Sequence, residues 1–154
     1  MTKRARMITL ALALLGAGGF ALAVQGGQWW SAGGIPIGPF GSVNCFDGDC
    51  HATNLEFLGG TEMWLRMATA TVAAGLIAMA LLIATAGALA AGKAPAQLGR
   101  LILVAVATAL VAGIIFITKL PAYPGISVDR GIPIFFVAIV LGAVAGFRLS
   151  RAKS

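Results

Sequence analysis

The sequence predicts an all-α membrane protein, a bundle of four transmembrane helices with a small disulfide-pinned outer loop that forms a short β-hairpin or sheet. Of its 154 residues, 59% are hydrophobic and 10% are charged, and the mean hydropathy is +0.95. Soluble proteins are about 45–50% apolar and about 25% charged. The apolar residues fall in four long runs. Because each crossing needs about 20 helical residues, residues 1–154 are predicted to form a single integral membrane domain.

The first apolar run predicts a helix over residues 7–24. Lys3, Arg4 and Arg6 precede it, and no charge interrupts it. Residues 1–23 also fit a cleavable signal peptide, because Ala21-Leu22-Ala23 offers a small-residue cleavage site before Val24. The run of 18 residues exceeds the usual signal core of about 7–15, which favours a retained helix.

Three more helices are predicted over residues 63–91, 99–118 and 132–147, with outer loops at 25–62 and 119–131. Pro95 marks the tight turn between the second and third helices, and the third ends before Pro121 and Pro124. Small residues recur at four-residue spacing, which allows close helix packing. We expect this packing to be mainly within the chain; the residues are Ala70, Ala74, Ala78, Ala80, Ala84, Ala88, Ala105, Ala109, Gly113, Gly142 and Gly146.

The charges sort by predicted side of the membrane, which predicts cytoplasmic termini. Eight basic residues lie on one side, namely Lys3, Arg4, Arg6, Lys93, Arg100, Arg148, Arg151 and Lys153. The other three, Arg66, Lys119 and Arg130, lie on the opposite side with all five acids, Asp47, Asp49, Glu56, Glu62 and Asp129. The net charge of +6 therefore indicates membrane orientation and no nucleic-acid partner. A bacterial inner membrane is favoured, with the cysteine loop periplasmic or extracellular.

The predicted helices contain no ionisable residue at mid-membrane depth. Such residues usually mark proton relays and ion pathways. The sequence therefore disfavours a pump, a secondary transporter or an intramembrane hydrolase, and it predicts a protein without catalytic activity.

The only two cysteines, Cys45 and Cys50, predict a disulfide across a hairpin. Asp47-Gly48 is a strong signal for a two-residue type I′ turn. With that turn, Phe46 faces Asp49 and Cys45 faces Cys50. Opposed residues at a non-hydrogen-bonded pair have Cα atoms about 4.5 Å apart, within the range of disulfide geometry.

Two alternatives use the same segment. Cys45, Cys50 and His51 form a Cys-x4-Cys-His pattern, which is a wider-spaced form of covalent haem c attachment. A metal site made from Cys45, Asp47, Asp49, Cys50 and His51 is the other alternative, although thiolates with carboxylates select no single metal. The leading expectation is no cofactor.

The topology and the loop motif resemble the claudin-type tetraspan superfamily, whose first outer loop carries a tryptophan, then Gly-Leu-Trp, then a bonded cysteine pair on adjacent strands. Here Trp29 or Trp30 corresponds to the first tryptophan, and Gly38-Pro39-Phe40 stands in place of Gly-Leu-Trp. Cys45 and Cys50 correspond to the bonded pair. The resemblance implies a non-enzymatic protein whose outer loop makes lateral or trans contacts.

The leading hypothesis is a non-enzymatic tetraspan protein whose outer loop binds a membrane-protein partner, self-associates or supports envelope assembly. The bilayer is its other partner. A membrane-anchored c-type cytochrome and an accessory subunit of a larger membrane complex are the alternatives. The predicted binding surface comprises Trp29, Trp30, Phe40, Phe46 and Phe57.

Overall fold

Four helices in the computed structural model are long and apolar enough to cross a membrane. The structure describes residues 1–25, 28–46 and 49–152, and the side chains of residues 44–46 lie outside that description. The predicted number of helices is confirmed among these residues. The helices are α1 (Lys3–Val24), α2 (Glu62–Ala90), α3 (Ala96–Thr118) and α4 (Gly131–Ser150).

The predicted helix bounds are most accurate at the end where α1 and α3 stop and α2 and α4 begin. At the opposite end, α1, α3 and α4 extend three or four residues beyond the apolar runs. An apolar run reports the thickness of the hydrocarbon core, whereas the helix continues into the polar headgroup region. Threonine caps begin two of the helices, because Thr2 Oγ1 accepts from the Ala5 N–H and Thr61 Oγ1 accepts from the Trp64 N–H.

Each helix packs against two neighbours, α1 and α3 each lying between α2 and α4. Glycines set the closest approaches. A Cβ on Gly99 would lie 2.5 Å from Ser150 N, and a Cβ on Gly19 would lie 2.9 Å from Ala138 Cβ. Most of the predicted small-residue positions in α3 and α4 are buried inside the bundle, whereas Ala80 and Ala84 of α2 are exposed. Packing within the chain therefore accounts for the small residues of α3 and α4.

Both predicted loops contribute to one antiparallel sheet. Its strands are β1 (Trp30–Ala32), β2 (Ile35–Gly38), β3 (Gly41–Phe46), β4 (Asp49–Thr53) and β5 (Ile126–Val128), in the order β4-β3-β2-β1-β5. The predicted small sheet is present, but its fifth strand was not expected in the loop at 119–131. Backbone pairing of Trp30 with Val128 joins the two loops. We call this sheet, together with the short 3₁₀ helix Glu56–Leu58, the cap, and the end of the bundle that carries it the sheet end.

An aromatic cluster fills the junction between the cap and the helices. Phe116 packs against all three tryptophans, with ring centroids 5.6 Å from Trp29, 5.1 Å from Trp30 and 5.0 Å from Trp64. Phe135 extends the cluster, with its ring 4.8 Å from that of Trp29. These side chains are almost completely buried.

Two tryptophans in this cluster also satisfy helix carbonyls. The last four carbonyls of an α-helix have no partner within the helix. Trp29 Nε1 donates to Ala23 O at the end of α1 (2.8 Å), and Trp64 Nε1 donates to Phe116 O at the end of α3 (2.9 Å). The Trp29 bond therefore ties the start of the cap to the end of α1, and the Trp64 bond ties the start of α2 to the end of α3.

Candidate functional site on the cap

The β3–β4 hairpin has the predicted register. Phe46 pairs with Asp49, and Cys45 pairs with Cys50. The Asp47-Gly48 turn that predicted this register lies outside the described residues. At the base of the hairpin, Ser42 and Thr53 are paired and their hydroxyl oxygens lie 2.6 Å apart. The two cysteine backbones are thus directly opposed on adjacent strands.

The haem alternative needs Cys50 and His51 to serve one cofactor. Successive side chains of a strand point to opposite faces. Both residues lie in β4, so the ladder directs the His51 ring away from the face that carries Cys50. His51 is exposed and its backbone pairs with Asn44. The alternation therefore places Cys50 and His51 on opposite faces of β4, and covalent haem stays an alternative hypothesis.

The metal alternative also lacks an assembled ligand set in the described part of the chain. No group of three or more His, Cys, Asp and Glu residues there is placed to hold a metal ion. Asp47 and the Cys45 side chain, which belonged to the predicted set, fall outside the description.

The predicted binding surface divides into buried and exposed members. Trp29 and Trp30 lie in the aromatic cluster beneath the sheet, which corrects the expectation that they contribute binding surface. Phe40 is 70% exposed and Phe57 is 44% exposed. Tryptophan beside a polar loop is compatible with either location from sequence alone. Here Phe116 packs against both rings, and the Ala23 carbonyl also accepts from Trp29. The Phe46 side chain is not described.

Phe40 lies between two hollows of the cap. One hollow, of about 310 Å³, is lined by apolar Pro36 and Val43 and by polar groups that include Gln28 and Ser42. The residue after Phe40, Gly41, begins β3 at a φ of +133°, which favours glycine. A Cβ at Gly41 would lie 2.7 Å from Thr53 O.

The second hollow continues from Phe40 toward the membrane-spanning part of α2. It has a volume of about 230 Å³ and is lined by the cap residues Leu55 and Glu56 and by Leu65 and Thr69 of α2. We call Pro36, Phe40, Val43, Leu55 and Leu65 the Phe40 surface. Sequence reasoning identified Phe40 alone. The Ile35-Pro36-Ile37 alternation could have added Pro36, because Ile37 is buried and strand neighbours face opposite sides.

The helix interior offers few groups for chemistry. No charged side chain is among the buried residues that the structure describes. Buried Thr9 and Thr71 donate to the carbonyls of Ala5 and Met67, four residues earlier in their helices. Thr85 is also buried, and its hydroxyl has no hydrogen-bond partner among the described groups.

By the length and apolar character of its helices, the molecule is a four-span membrane protein with a β-sheet cap at one end. No known protein family and no curated protein sequence matches this chain significantly.

Proposed function

We propose that this is a non-enzymatic tetraspan membrane protein whose cap binds another membrane protein through the Phe40 surface. The main support is the exposure of Phe40, a large apolar side chain that lies between two hollows of the cap. The tryptophans near it are buried. Aromatic side chains are enriched at protein interfaces, where an exposed ring can fill a pocket of the partner. The absence of buried charge from the described helices supports a binding role over catalysis or transport.

The position of the second hollow favours a partner that approaches laterally. Exposed Glu62 and Arg66 form an ion pair on the first turn of α2 and mark its polar end. Thr69, which lines the hollow, lies seven residues beyond Glu62, about 10 Å along the helix at 1.5 Å per residue. The second hollow therefore runs from Phe40 on the cap toward bilayer depth on α2, and a membrane-embedded partner can contact both parts.

A disulfide between Cys45 and Cys50 is part of this proposal. The described residues of β4 are exposed from Asp49 to Ala52, so the outer part of the hairpin has little packing against the helices. A two-stranded hairpin is marginally stable by itself. The register places the cysteine backbones opposite each other, where a covalent bond would hold the strands together without moving them.

The resemblance to claudin-type tetraspan proteins remains a proposal that two features support. Trp30 begins β1, and Cys45 and Cys50 occupy opposed positions on adjacent strands. A bacterial inner membrane with cytoplasmic termini and a periplasmic cap fits the distribution of charge along the sequence. This location supplies the oxidising compartment that the disulfide needs.

In-cell photo-crosslinking tests the binding function. A photoreactive phenylalanine analogue replaces Phe40 in one variant and Val128, which is 72% exposed on β5, in a matched control. We expect a discrete protein adduct from position 40 that position 128 does not give, and we expect Phe40→Ser to lose that partner during purification. Adducts with lipid alone at position 40, or the same adduct from both positions, would refute the proposal.

The same experiment separates a binding cap from an accessory subunit held mainly by its helices. For an accessory subunit, Phe40→Ser would leave the complex intact, and the abundance of the chain would fall only when the partner is deleted. For the proposed cap, Phe40→Ser lowers recovery of the partner while the chain itself keeps its wild-type abundance.

A further inference from the structure

The end of the bundle opposite the cap, which we call the terminal end, carries positive charge without acidic neighbours. α1 begins there, α4 ends there, and the α2–α3 turn lies between them. None of the acidic residues that the structure describes is at this end, since they lie in β4, in the 3₁₀ helix, at the start of α2 and just before α4. The arginines of this end therefore lack a described carboxylate as counter-ion.

Two of these arginines line one cavity between α1 and α4. The cavity has a volume of about 400 Å³, and Arg148 and Arg151 lie on its α4 side while Ala5 lies on its α1 side. Arg148 is two residues before the end of α4, about 3 Å along the helix axis. Because the apolar run of α4 ends at Phe147, we place Arg148 at the boundary between the hydrocarbon core and the headgroup region.

A hydrogen-bond chain holds Arg148 in place. Its Nε donates to Thr9 Oγ1 at 3.2 Å, and Thr9 Oγ1 donates in turn to Ala5 O at 2.9 Å. Thr9 is completely buried, so this contact ties the guanidinium to a fixed point of α1. Because a guanidinium has five N–H donors, the Nη groups of Arg148 add four donors to the one that Thr9 accepts.

Arg151 is positioned by a different contact. Its Cζ lies over the Phe147 ring, 4.0 Å from the ring centroid, which is a cation–π contact. The N–H donors of a guanidinium remain available in such a contact, and they match the oxygen pairs of a phosphate. Arg148 and Arg151 are thus restrained before any ligand binds.

A second cavity, of about 440 Å³, shares Met1 with the first and is lined by Arg6 and Lys93. The positive potential of the Arg148 cavity is therefore reinforced by neighbouring cations, and an anion at this position would sit among basic groups from α1, α4 and the α2–α3 turn.

We propose that the Arg148–Arg151 cavity binds the phosphate of an anionic phospholipid headgroup. Phosphate is the chemical group that two restrained guanidinium groups recognise, and the bilayer supplies it at this depth. The apolar residues of α1 and α4 beside the cavity then contact the acyl chains of the same lipid. A general excess of positive charge would need neither the Thr9 contact nor the cation–π contact of Arg151.

The test uses full-length protein reconstituted in nanodiscs that contain equal amounts of phosphatidylglycerol and phosphatidylcholine. Native mass spectrometry then counts the lipids that remain bound after release from the nanodisc. We expect Arg148→Gln and Arg151→Gln each to weaken phosphatidylglycerol retention about fivefold, in line with the loss of one charge-assisted hydrogen bond to the phosphate. Arg100→Gln is the matched control, because it removes one exposed charge at the same end outside this cavity, and we expect it to change retention less than about twofold, since salt screens an exposed charge that does not contact the phosphate.

A second variant distinguishes a specific binding site from a general excess of positive charge at this end. Thr9→Val keeps every charge but removes the hydroxyl that holds Arg148, and we expect it to weaken retention about threefold, as for loss of one hydrogen bond. Equal losses for Arg148→Gln and Arg100→Gln, or wild-type retention by Thr9→Val, would overturn the proposal. Competition by excess inorganic phosphate would show that the site takes free phosphate, which would also overturn the assignment to a lipid. If Arg148→Gln fails to fold, Thr9→Val and Arg151→Gln decide the outcome.

Discussion

Phe116 is the residue on which the junction between cap and helices depends most. Its ring contacts three tryptophans and its carbonyl accepts from Trp64 Nε1. Large buried aromatic side chains dominate core energetics, and aromatic pairs add about 0.5–1.5 kcal/mol beyond the area that they bury. Loss of this one ring would remove the shared neighbour of Trp29, Trp30 and Trp64.

Phe116→Ala should lower the free energy of unfolding by roughly 3–5 kcal/mol, because it leaves a cavity among rings that the backbone holds in place. Phe136→Ala is the control, since Phe136 is only partly buried and lies outside the contacts of Phe116. Thermal unfolding of both variants in one detergent, followed by tryptophan fluorescence, makes the comparison. Equal shifts in Tm would mean that the cluster has no special role.

The cysteine pair gives a second prediction at this scale. Cys50→Ser should destabilise the cap by about 2 kcal/mol, as expected for closure of so short a loop. His51→Ala should leave the stability unchanged. Non-reducing intact mass should show the wild-type chain two hydrogens lighter than the reduced chain, with no Soret absorption. A Soret band lost in His51→Ala would instead establish the haem alternative.

Glycines of α1 determine how closely this helix packs against α4. Gly16 and Gly19 of α1 face α4, where a Cβ on Gly16 would lie 3.3 Å from Gly142 N. Glycine is needed at Gly19 because the backbones approach too closely for a side chain, and its neighbour Gly18 faces open space. Position 19 therefore requires glycine, whereas position 18 has room for a side chain.

Gly19→Ala should destabilise the protein by about 1–3 kcal/mol, because its Cβ would overlap Ala138 and force α1 away from α4. Gly18→Ala should be neutral or slightly stabilising, since alanine has the higher helix propensity and meets no neighbour. The measurement is Tm by circular dichroism in detergent. A larger effect of Gly18→Ala than of Gly19→Ala would contradict this packing.

Retention of α1 is a separate prediction for this element. Phe20 of α1 is completely buried against Phe135, and the carbonyl of Ala23 accepts from Trp29 Nε1. Cleavage before Val24 would remove both contacts from the core. Intact mass of the mature protein from its host should therefore include residues 1–23, and a mass that begins at Val24 would establish a signal peptide.

At the scale of the whole molecule, the β1–β5 pairing joins two loops that are separated along the chain by two transmembrane helices. Ser31 and Ser127 are 96 positions apart, yet their hydroxyl oxygens lie 3.3 Å from each other. Asp129 N and Gly131 N also donate to the carbonyls of Trp29 and Gln28. These contacts place the start of α4 directly beside the end of α1.

Orientation in the membrane is tested on the whole molecule. In a background with both native cysteines replaced by serine, a cysteine at Val128 should react with an impermeant maleimide in intact cells. A cysteine at Lys93, at the terminal end, should react only after the membrane is permeabilised, because basic loops are retained in the cytoplasm. The reverse pattern of labelling would place the cap in the cytoplasm and remove the setting for the disulfide.

Much of the architecture is encoded locally in the sequence. The four apolar runs are long enough to determine the number of helices, since backbone groups in hydrocarbon must bond within the segment. Asp47-Gly48 predicted the pairing of Cys45 with Cys50 because a two-residue turn sets the register of the strands that it joins. Phe40 was included in the predicted binding surface as a large apolar side chain of the outer loop, and its side chain is exposed.

The remaining features depend on contacts between distant segments, which have no local signal. β5 is too short to predict as a strand and forms only because β1 supplies its partner. Trp29 and Trp30 are suited equally to a membrane interface and to a core, and Phe116 of α3 determines that they are buried. Arg148 and Thr9, 139 positions apart, meet only because α1 and α4 lie side by side. Hydrophobicity and turn chemistry thus determined the four helices and the register of the cysteine hairpin by themselves, whereas contacts between distant segments added β5 and decided which residues are core, surface or site.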